Sequence, residues 1–438
     1  MRILWLKSDL LLPLDKGGKL RTWHLMRHLA QRHAITYLAF KDPDQPAADV
    51  EGMREVAASV ETVNRAEPAK GTLRFYADAA MHLVDPLPYA VGKYRSRELR
   101  HRLTALLESQ AFDLIVCDFL VPAVNLPERL PCPAVIFTHN VESEIWRRHA
   151  EMKSGFVERF LYGGQYQRML RYEGRTLERF DGVLAVSDAD RQTFAALYPG
   201  AIRHPAHVVP TGVDTDYFAP APSDPASRTL VFTGSMDWLP NEDAMQFFCR
   251  EILPLVRAEE PDVRFSIVGR APTPAVRRLA EEHKVHVTGR VDDVRPYMKE
   301  AAVYVVPLRI GGGTRLKIFE AMSMGKAVVS TTVGAEGLPV TNGEHVMLAD
   351  EPQTFARAVV HLLRDTARRA QLETAARALV VERYDWAAVA GELEDALVRF
   401  AGRTHGSAPA QHVVTSRSGG MAATHTTTVG ADLRVGPA

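Results

Sequence analysis

The segment from Pro307 to Leu338 reads PLRIGGGTRLKIFEAMSMGKAVVSTTVGAEGL. The apolar run Val303 to Val306 precedes it and is continuous rather than alternating, which is typical of a buried parallel strand. A glycine turn follows, then a helical pattern that ends at Gly325, and the run Ala327 to Ser330 begins another strand. The same alternation recurs along the chain and predicts two doubly wound α/β domains.

The glycine turn and the helix start after it form a candidate anion site. Free backbone N–H groups and the positive end of the helix dipole both point at such a turn. Arg315 and Lys317 stand in the first helical turn, where a purely structural helix favours acidic residues, so they indicate phosphate binding. Glu320 fits either an ion pair with Lys317 or a hydrogen-bond acceptor for a ribose. The turn itself consists of Gly311, Gly312, Gly313 and Thr314.

Composition limits the class of protein. A chain of 438 residues, with 24% charged and 46% hydrophobic residues, predicts a globular protein of two domains. Lys+Arg and Asp+Glu balance at 53 each, so the charge gives no reason to expect a nucleic-acid partner. No apolar run approaches the ~20 residues of a membrane span. The three cysteines lack metal-ligand spacing, and we expect a reducing, cytoplasmic location.

Two predicted strand ends in the first half of the chain carry candidate site residues. Gly17 and Gly18 come after the strand Ile3 to Leu6 and are candidates for ligand contact; the alternative is that they only form a tight turn. His139 follows the apolar run Ala134 to Thr138, and open α/β sheets bind ligands at the carboxyl ends of their strands. The alternative for His139 is an ordinary turn position.

Three loops in the second half are candidate ligand-binding loops, because each follows the carboxyl end of a predicted strand, although each also fits a plain connecting loop. They contain Gly234 and Ser235 after the strand Thr229 to Thr233, Arg290 and Val291 after the strand Val285 to Gly289, and Glu336 after the strand Ala327 to Ser330.

The run GGGTRLKIFEAMSMGKAVVST resembles the donor-binding segment of family 4 retaining glycosyltransferases, which use nucleotide-sugar donors. The family pattern has two glutamates separated by seven residues, and Glu320 matches the second of them. The first falls at Gly312, so that carboxylate is missing here. The run His207 to Asp214 resembles the family's crossover between domains, and the resemblance covers roughly residues 1 to 401.

The resemblance implies the GT-B fold, in which two Rossmann-like doubly wound domains face a cleft and a C-terminal helix crosses back to the first domain. We predict an N-terminal acceptor-side domain over 1–210, a linker over 211–227, a nucleotide-sugar-binding domain over 228–383, a returning helix over 384–401 and a disordered tail over 402–438.

The resemblance also implies an activity, the retaining transfer of a hexosyl group. The donor would be a nucleotide-diphosphate sugar, and the acceptor a hydroxyl of a cell-envelope or capsular polysaccharide or of a glycolipid. Arg315, Lys317 and the glycine turn would stabilise the leaving diphosphate, Glu320 would hold the ribose, and His139 the transferred sugar. Further donor contacts are expected from Gly17, Gly18, Gly234, Ser235, Arg290, Val291 and Glu336. We expect no cofactor and no requirement for a divalent metal.

Two other functions stay open. A nucleotide-sugar epimerase or hydrolase of the GT-B fold would share the phosphate site but need no acceptor. With Gly312 in place of the first glutamate, the chain also fits a catalytically idle scaffold in a glycan-assembly complex.

The stretch Glu144 to Phe180 is rich in arginine and aromatic residues, as in helices that lie on anionic membranes. Its interspersed glutamates, Glu151, Glu158, Glu173 and Glu178, favour a solvated helix face instead. Peripheral association with the inner face of the membrane is therefore the alternative to a purely cytoplasmic location.

Overall fold

The computed structural model describes residues 1–66, 71–72, 85–152, 155–220, 224–310 and 316–402. The first half of the chain forms one parallel sheet. Its strands are β1 (Arg2–Leu6), β2 (Ala34–Lys41), β3 (Ser59–Asn64), β4 (Leu114–Asp118), β5 (Ala134–Phe137), β6 (Gly182–Ala185) and β7 (His207–Val208). They lie in the order β3-β2-β1-β4-β5-β6-β7.

The second half forms a separate parallel sheet. Its strands are β8 (Thr229–Thr233), β9 (Arg264–Val268), β10 (His286–Val287), β11 (Val303–Val306), β12 (Ala327–Ser330) and β13 (Met347–Leu348). They lie in the order β10-β9-β8-β11-β12-β13.

Helices connect the strands of both sheets. In the first half they are α1 (Gly17–Leu29), α2 (Ala47–Gly52), α3 (Tyr89–Gly92), α4 (Arg97–Ser109), α5 (Glu142–Met152), α6 (Phe156–Leu177) and α7 (Asp188–Leu197). In the second half they are α8 (Leu239–Phe247), α9 (Leu253–Glu259), α10 (Pro274–His283), α11 (Arg295–Glu300), α12 (Leu316–Ser323), α13 (Pro352–Arg364), α14 (Thr366–Arg383) and α15 (Trp386–Ala401).

The central strands are buried because their side chains are apolar on both faces, as the continuous runs predict. All residues of β4, β5, β8, β11 and β12 are buried. The strand order reverses between β1 and β4 in one sheet and between β8 and β11 in the other. Such switch points open a crevice at the carboxyl ends of the strands, where ligands bind in this class of fold.

The last helix, α15, packs on the first half of the molecule. Trp386 stacks on His24 with ring centroids 5.0 Å apart, and it lies so close to Gly212 that a Cβ there would come within 2.5 Å of the indole. Phe400 covers Gly182 in the same way, at 2.3 Å. The predicted fold class, including the helix that returns to the first half, is therefore confirmed.

The predicted domain bounds remain predictions. Except for Gly402, the predicted tail lies outside the described residues, as do residues 221–223 of the predicted linker. No helix among the described residues is long and apolar enough to cross a membrane.

The interpretation of Glu173 as part of a solvated helix face is wrong, because its side chain is fully buried. The carboxylate accepts hydrogen bonds from the backbone N–H groups of Glu142 and Ser143 at 2.9 and 3.0 Å, and from the Tyr198 hydroxyl at 2.6 Å. It therefore caps the first turn of α5 from the neighbouring helix, where the helix dipole favours an anion.

Candidate active site

A cavity of about 570 Å³ lies where the loops of the first sheet meet residues of the second half. The first half contributes the start of α1, the residues after β4, β5 and β6, and parts of α5 and α7. The second half contributes Leu316 at the start of α12, together with Glu336 and Gly337. The lining thus combines strand ends of one sheet with the helix that follows the glycine turn.

Four of the predicted site residues line this one cavity, namely Gly17, Gly18, His139 and Glu336. Gly18 packs closely against its neighbours there. A Cβ at this position would lie 3.0 Å from the ring of Phe119 and 3.8 Å from His139 Nδ1. The glycine therefore lets α1 begin directly against the two loops that follow β4 and β5.

His139 is buried in the wall of the cavity, 7% exposed, with both ring nitrogens engaged. Nε2 lies 2.8 Å from Asp118 Oδ1, and Nδ1 lies 3.4 Å from Nη1 of Arg21. The ring stacks on Phe119, with centroids 3.8 Å apart. Because Arg21 can only donate, these partners assign the proton of the neutral ring to Nε2, which donates to Asp118.

Asp118 ends strand β4, and its fully buried carboxylate joins the elements around the cavity. It pairs with the buried Lys7 at 2.9 Å. It also accepts hydrogen bonds from Trp5 Nε1, Thr22 Oγ1 and His139 Nε2, at 3.0, 2.7 and 2.8 Å. One carboxylate thus ties β1, α1 and the loop after β5 together.

The charges of this network follow from burial and from its ion pair. Burial would raise the pKa of Asp118, but the attraction of Lys7 and the hydrogen bonds outweigh it and hold the pKa well below the usual range. Burial lowers the pKa of His139 to about 3, in spite of the opposing carboxylate of Asp118, and Arg21 and Lys7 lower it further. At neutral pH the histidine is therefore neutral and the aspartate ionised.

A second group of predicted residues lies together at the carboxyl end of β8. Lys317 Nζ donates to Asn241 Oδ1 at 3.0 Å and lies 4.1 Å from the centre of the Phe232 ring. The same ammonium approaches Gly234 so closely that a Cβ there would be 3.0 Å from it. Asn241 Nδ2 donates to the carbonyl of Ser235 at 2.8 Å. Lys317, Gly234 and Ser235 are thus joined through Asn241.

The loop after β9 supports this group from the other side. A Cβ at Gly269 would lie 1.8 Å from the carbonyl oxygen of Gly234, so only glycine fits there. The next residue, Arg270, donates from Nε to Ser235 Oγ at 3.0 Å. The two loops therefore hold one another in place at the switch point of the second sheet.

Glu320 is partly buried on α12, one turn after Lys317. Burial raises the pKa of Glu320 to about 7, and Lys317 opposes that rise. Arg290 is exposed in the loop after β10, while Val291 packs against the hydrophobic core of the second half. Neither Arg290 nor Val291 lines the cavity described above, so the structure does not bring this pair together with His139.

The glycine turn and Arg315 lie outside the described residues, as Gly311, Gly312, Gly313, Thr314 and Arg315 form one interval that the structure leaves out. Their predicted roles therefore remain predictions. Sequence reasoning passed over Asp118 and Asn241, which organise the two groups of site residues. Asp118 carried a usable signal, since it is a carboxylate at the end of the buried run DLIVCD.

Comparison with known protein families gives two matches along the chain. Glycosyltransferase Family 4 matches residues 16–217, and Glycosyl transferases group 1 matches residues 227–365. Phosphatidyl-myo-inositol mannosyltransferase of Mycobacterium tuberculosis is 31% identical over 231 residues, which is 49% of this chain and 59% of that protein. The Mycolicibacterium smegmatis protein of the same name is 31% identical over 227 residues, which is 49% of this chain and 56% of that protein. The chain therefore spans somewhat more than half the length of these relatives.

Solved structures show the same fold over most of the chain. Anabaena HepE in complex with UDP has a TM-score of 0.63 at 18% identity and covers 91% of this chain and 100% of its own. Sucrose-phosphate synthase from Thermosynechococcus elongatus has a TM-score of 0.61 at 17% identity, and the match covers 91% of this chain and 98% of that one. Two parallel Rossmann-like sheets, a returning C-terminal helix and the two successive family matches lead to one conclusion: the chain belongs to the family 4 glycosyltransferases of the GT-B fold.

Proposed function

We propose that the protein transfers a hexosyl group from a nucleotide-diphosphate sugar to a hydroxyl of a glycan or glycolipid acceptor, with retention of configuration. The observation that carries the proposal is the cavity, which combines His139 and Gly18 of the first half with Leu316 and Glu336 of the second. A transferase needs such a site because two substrates must meet in one place.

The names of several relatives support this substrate class. Besides the phosphatidyl-myo-inositol mannosyltransferases, an alpha-maltose-1-phosphate synthase of Mycolicibacterium smegmatis is 28% identical over 257 residues. The solved neighbours include Anabaena HepE with UDP-glucose. A nucleotide sugar as donor and a cell-envelope or capsular glycan or glycolipid as acceptor therefore fit this chain.

The chemistry assigned to the site is a same-face displacement. The bond between the sugar C1 and the diphosphate oxygen breaks, the acceptor oxygen bonds to C1 from the same side, and its proton passes to the departing phosphate oxygen. Lys317, Arg315 and the glycine turn stabilise the charge on that phosphate, which is an electrostatic contribution to the rate. Glu320 holds the ribose, and His139, neutral in the cavity wall, contacts the transferred sugar.

Nucleotide binding is the first test. A thermal-shift screen uses UDP, GDP, ADP and TDP at one common concentration in large excess over the protein. The nucleotide with the correct base, once present at ~100-fold over its dissociation constant, should stabilise the protein by about 2.7 kcal/mol, and the others by less. Transfer is then measured with the matching labelled sugar nucleotide and candidate acceptors. A donor changed without any acceptor would favour an epimerase or hydrolase, and no shift with any nucleotide would favour the scaffold.

The leaving-group assignment is tested by Arg315→Ala and Lys317→Ala, each expected to lower the transfer rate about 100-fold, the scale at which one charge-stabilising donor acts. Arg278→Ala is the matched control, since Arg278 is an exposed cation on α10. Rates equal to that of the control would refute the assignment.

We propose further that no divalent metal is needed, because protein cations meet the charge of the diphosphate. Transfer in the presence of excess EDTA should equal transfer without it. A rate that falls with EDTA and returns with added Mg²⁺ would overturn this part of the proposal.

We also propose that the protein works at the surface of a membrane. The start of α6 exposes a group of apolar side chains that is larger than scattered surface residues. Their exposed fractions are 85% for Phe156, 67% for Val157, 75% for Phe160 and 44% for Leu161. An apolar helix face beside cations is typical of peripheral attachment to anionic lipid.

Vesicle co-sedimentation tests this location. We expect binding to phosphatidylglycerol vesicles that exceeds binding to phosphatidylcholine vesicles, and its loss in the double variant Phe156→Ser with Phe160→Ser. Val381→Ser, which alters an exposed apolar residue on α14, should bind like the unchanged protein. Equal binding by all three proteins would contradict the assignment of α6.

A further inference from the structure

Arg21 is a buried cation that has no ion-pair partner among the residues that the structure describes. It lies on α1, is 7% exposed and lines the cavity. Within the described part of the chain its guanidinium makes one hydrogen bond, the 3.4 Å contact with His139 Nδ1, and its Nε is buried with no partner. Buried arginines are rare unless they are paired, because an uncompensated charge away from water is costly.

The two nearby carboxylates, Asp118 and Asp190, attract this charge, but among the described residues neither forms an ion pair with it. Asp118 is already engaged by Lys7 at 2.9 Å and by three hydrogen bonds, and no ion pair within 4.0 Å joins Arg21 to Asp118 or to Asp190 among the described residues. Asp190 accepts a hydrogen bond from Ser187 Oγ at 2.7 Å. Burial lowers the pKa of Arg21 to about 10, against the attraction of Asp118 and Asp190, so the guanidinium is still charged at neutral pH.

A second unused polar group lines the same cavity. Thr211 is 3% exposed, and its Oγ1 is buried and has no hydrogen-bond partner in the described part of the chain. The cavity also borders the start of α1 at Gly17 and the exposed cation Arg148 on α5. A buried cation, an unpaired hydroxyl and a glycine helix start in one cavity wall match the needs of a phosphate group, which takes several donors at once.

We propose that Arg21 and Thr211 bind a phosphate group of the ligand that occupies the cavity, and that this phosphate is the missing partner of Arg21. The proposal rests on the proposed function for the source of the phosphate. It belongs either to the diphosphate of the sugar nucleotide or to a phosphorylated acceptor. Arg21 also contacts His139 Nδ1, so a phosphate that attracts the guanidinium would leave this nitrogen free to accept a hydrogen bond from a sugar hydroxyl.

The test is calorimetric titration of the full chain and of Arg21→Gln, Thr211→Val and the control Arg27→Gln. Arg27 lies on the same helix but is exposed and paired with Glu55 at 3.5 Å. The probes are the four nucleoside diphosphates of the screen, and inorganic phosphate with and without the diphosphate that binds. Loss of a charge-assisted hydrogen bond should weaken binding of the relevant probe by at least about tenfold.

The two sources give different results. If the phosphate is the donor's, Arg21→Gln weakens the binding of the nucleoside diphosphate, and saturating diphosphate prevents inorganic phosphate from binding. If it is the acceptor's, diphosphate affinity is unchanged, whereas inorganic phosphate binds alongside the diphosphate and loses affinity in Arg21→Gln. Phosphate binding without any diphosphate binding would keep this proposal and remove the proposed donor.

A stability measurement separates this role from a structural one. Without ligand, Arg21→Gln should melt at the same or a higher temperature than the unchanged protein, because it removes a buried charge that has no ion-pair partner among the described residues. A structural arginine would give a lower melting temperature. The proposal is overturned if the unchanged protein binds none of the probes, or if Arg21→Gln and Thr211→Val bind all of them as Arg27→Gln does.

Discussion

Replacing Asp118 by asparagine should destabilise the first half of the molecule strongly. The substitution keeps the size of the side chain but removes the charge that compensates Lys7, whose side chain is 1% exposed. It also turns one acceptor oxygen into a donor that faces Trp5, Thr22 or His139, all of which donate to Asp118. Removing one partner of a buried ion pair costs about 3–5 kcal/mol.

The expected effect is large enough to see in a melting experiment. For a unit of about 200 residues, each kcal/mol lowers the midpoint by about 2–4 °C, so Asp118→Asn should lower it by roughly 6–20 °C. The matched variant is Asp118→Asn with Lys7→Met, which removes the buried charge as well. Because the pair is then absent rather than broken, the double variant should be more stable than the single one.

The single variant also tests the sign of the pH dependence. The depressed pKa of Asp118 means that its stabilisation is present at neutral pH and is lost as pH falls through its folded-state pKa. A loss below about 1 kcal/mol in Asp118→Asn, or a double variant less stable than the single one, would refute the view that this carboxylate compensates Lys7.

Three other results are expected. The pKa of His139 is lowered from 6.5 to about 3, so the free energy of unfolding should fall by about 1.4 kcal/mol per pH unit as the pH falls between those values. Urea unfolding of His139→Gln should not show this pH dependence. Trp386→Ala should cost about 3–5 kcal/mol in the same assay, whereas Trp238→Ala, 42% exposed, should cost much less. Tyr198→Phe removes a 2.6 Å hydrogen bond to the buried Glu173 and should cost about 1–3 kcal/mol; a neutral result would show that the hydroxyl does not stabilise this carboxylate.

The fold was predictable because its signals are local. The continuous apolar runs Val303 to Val306 and Ala134 to Thr138 predict two buried parallel strands, which the structure has as β11 and β5. The placement of Gly18, His139 and Glu336 in one cavity also agrees with the rule that ligands bind at strand ends.

The partners of those residues were not predictable in the same way. Arg21 and Asp118 are 97 positions apart, and no periodic pattern indicates that both contact the His139 ring. Glu173 was misinterpreted for a related reason. A glutamate among arginines on a helix has the composition of a solvated face, and only the position of α5 against α6 shows that it binds two backbone amides.

The packing of α15 sets an order of events during synthesis. Trp5 and Ile3 share one hydrophobic core with Trp386, Leu393 and Phe400, so β1 and α15, which are far apart in the sequence, complete it together. While the second half is being translated, the apolar surface that α15 will cover stays exposed on the first half. Such transiently exposed apolar surface makes a folding chain prone to aggregation. A chain that ends before α15 therefore has a first half that lacks one wall of its core.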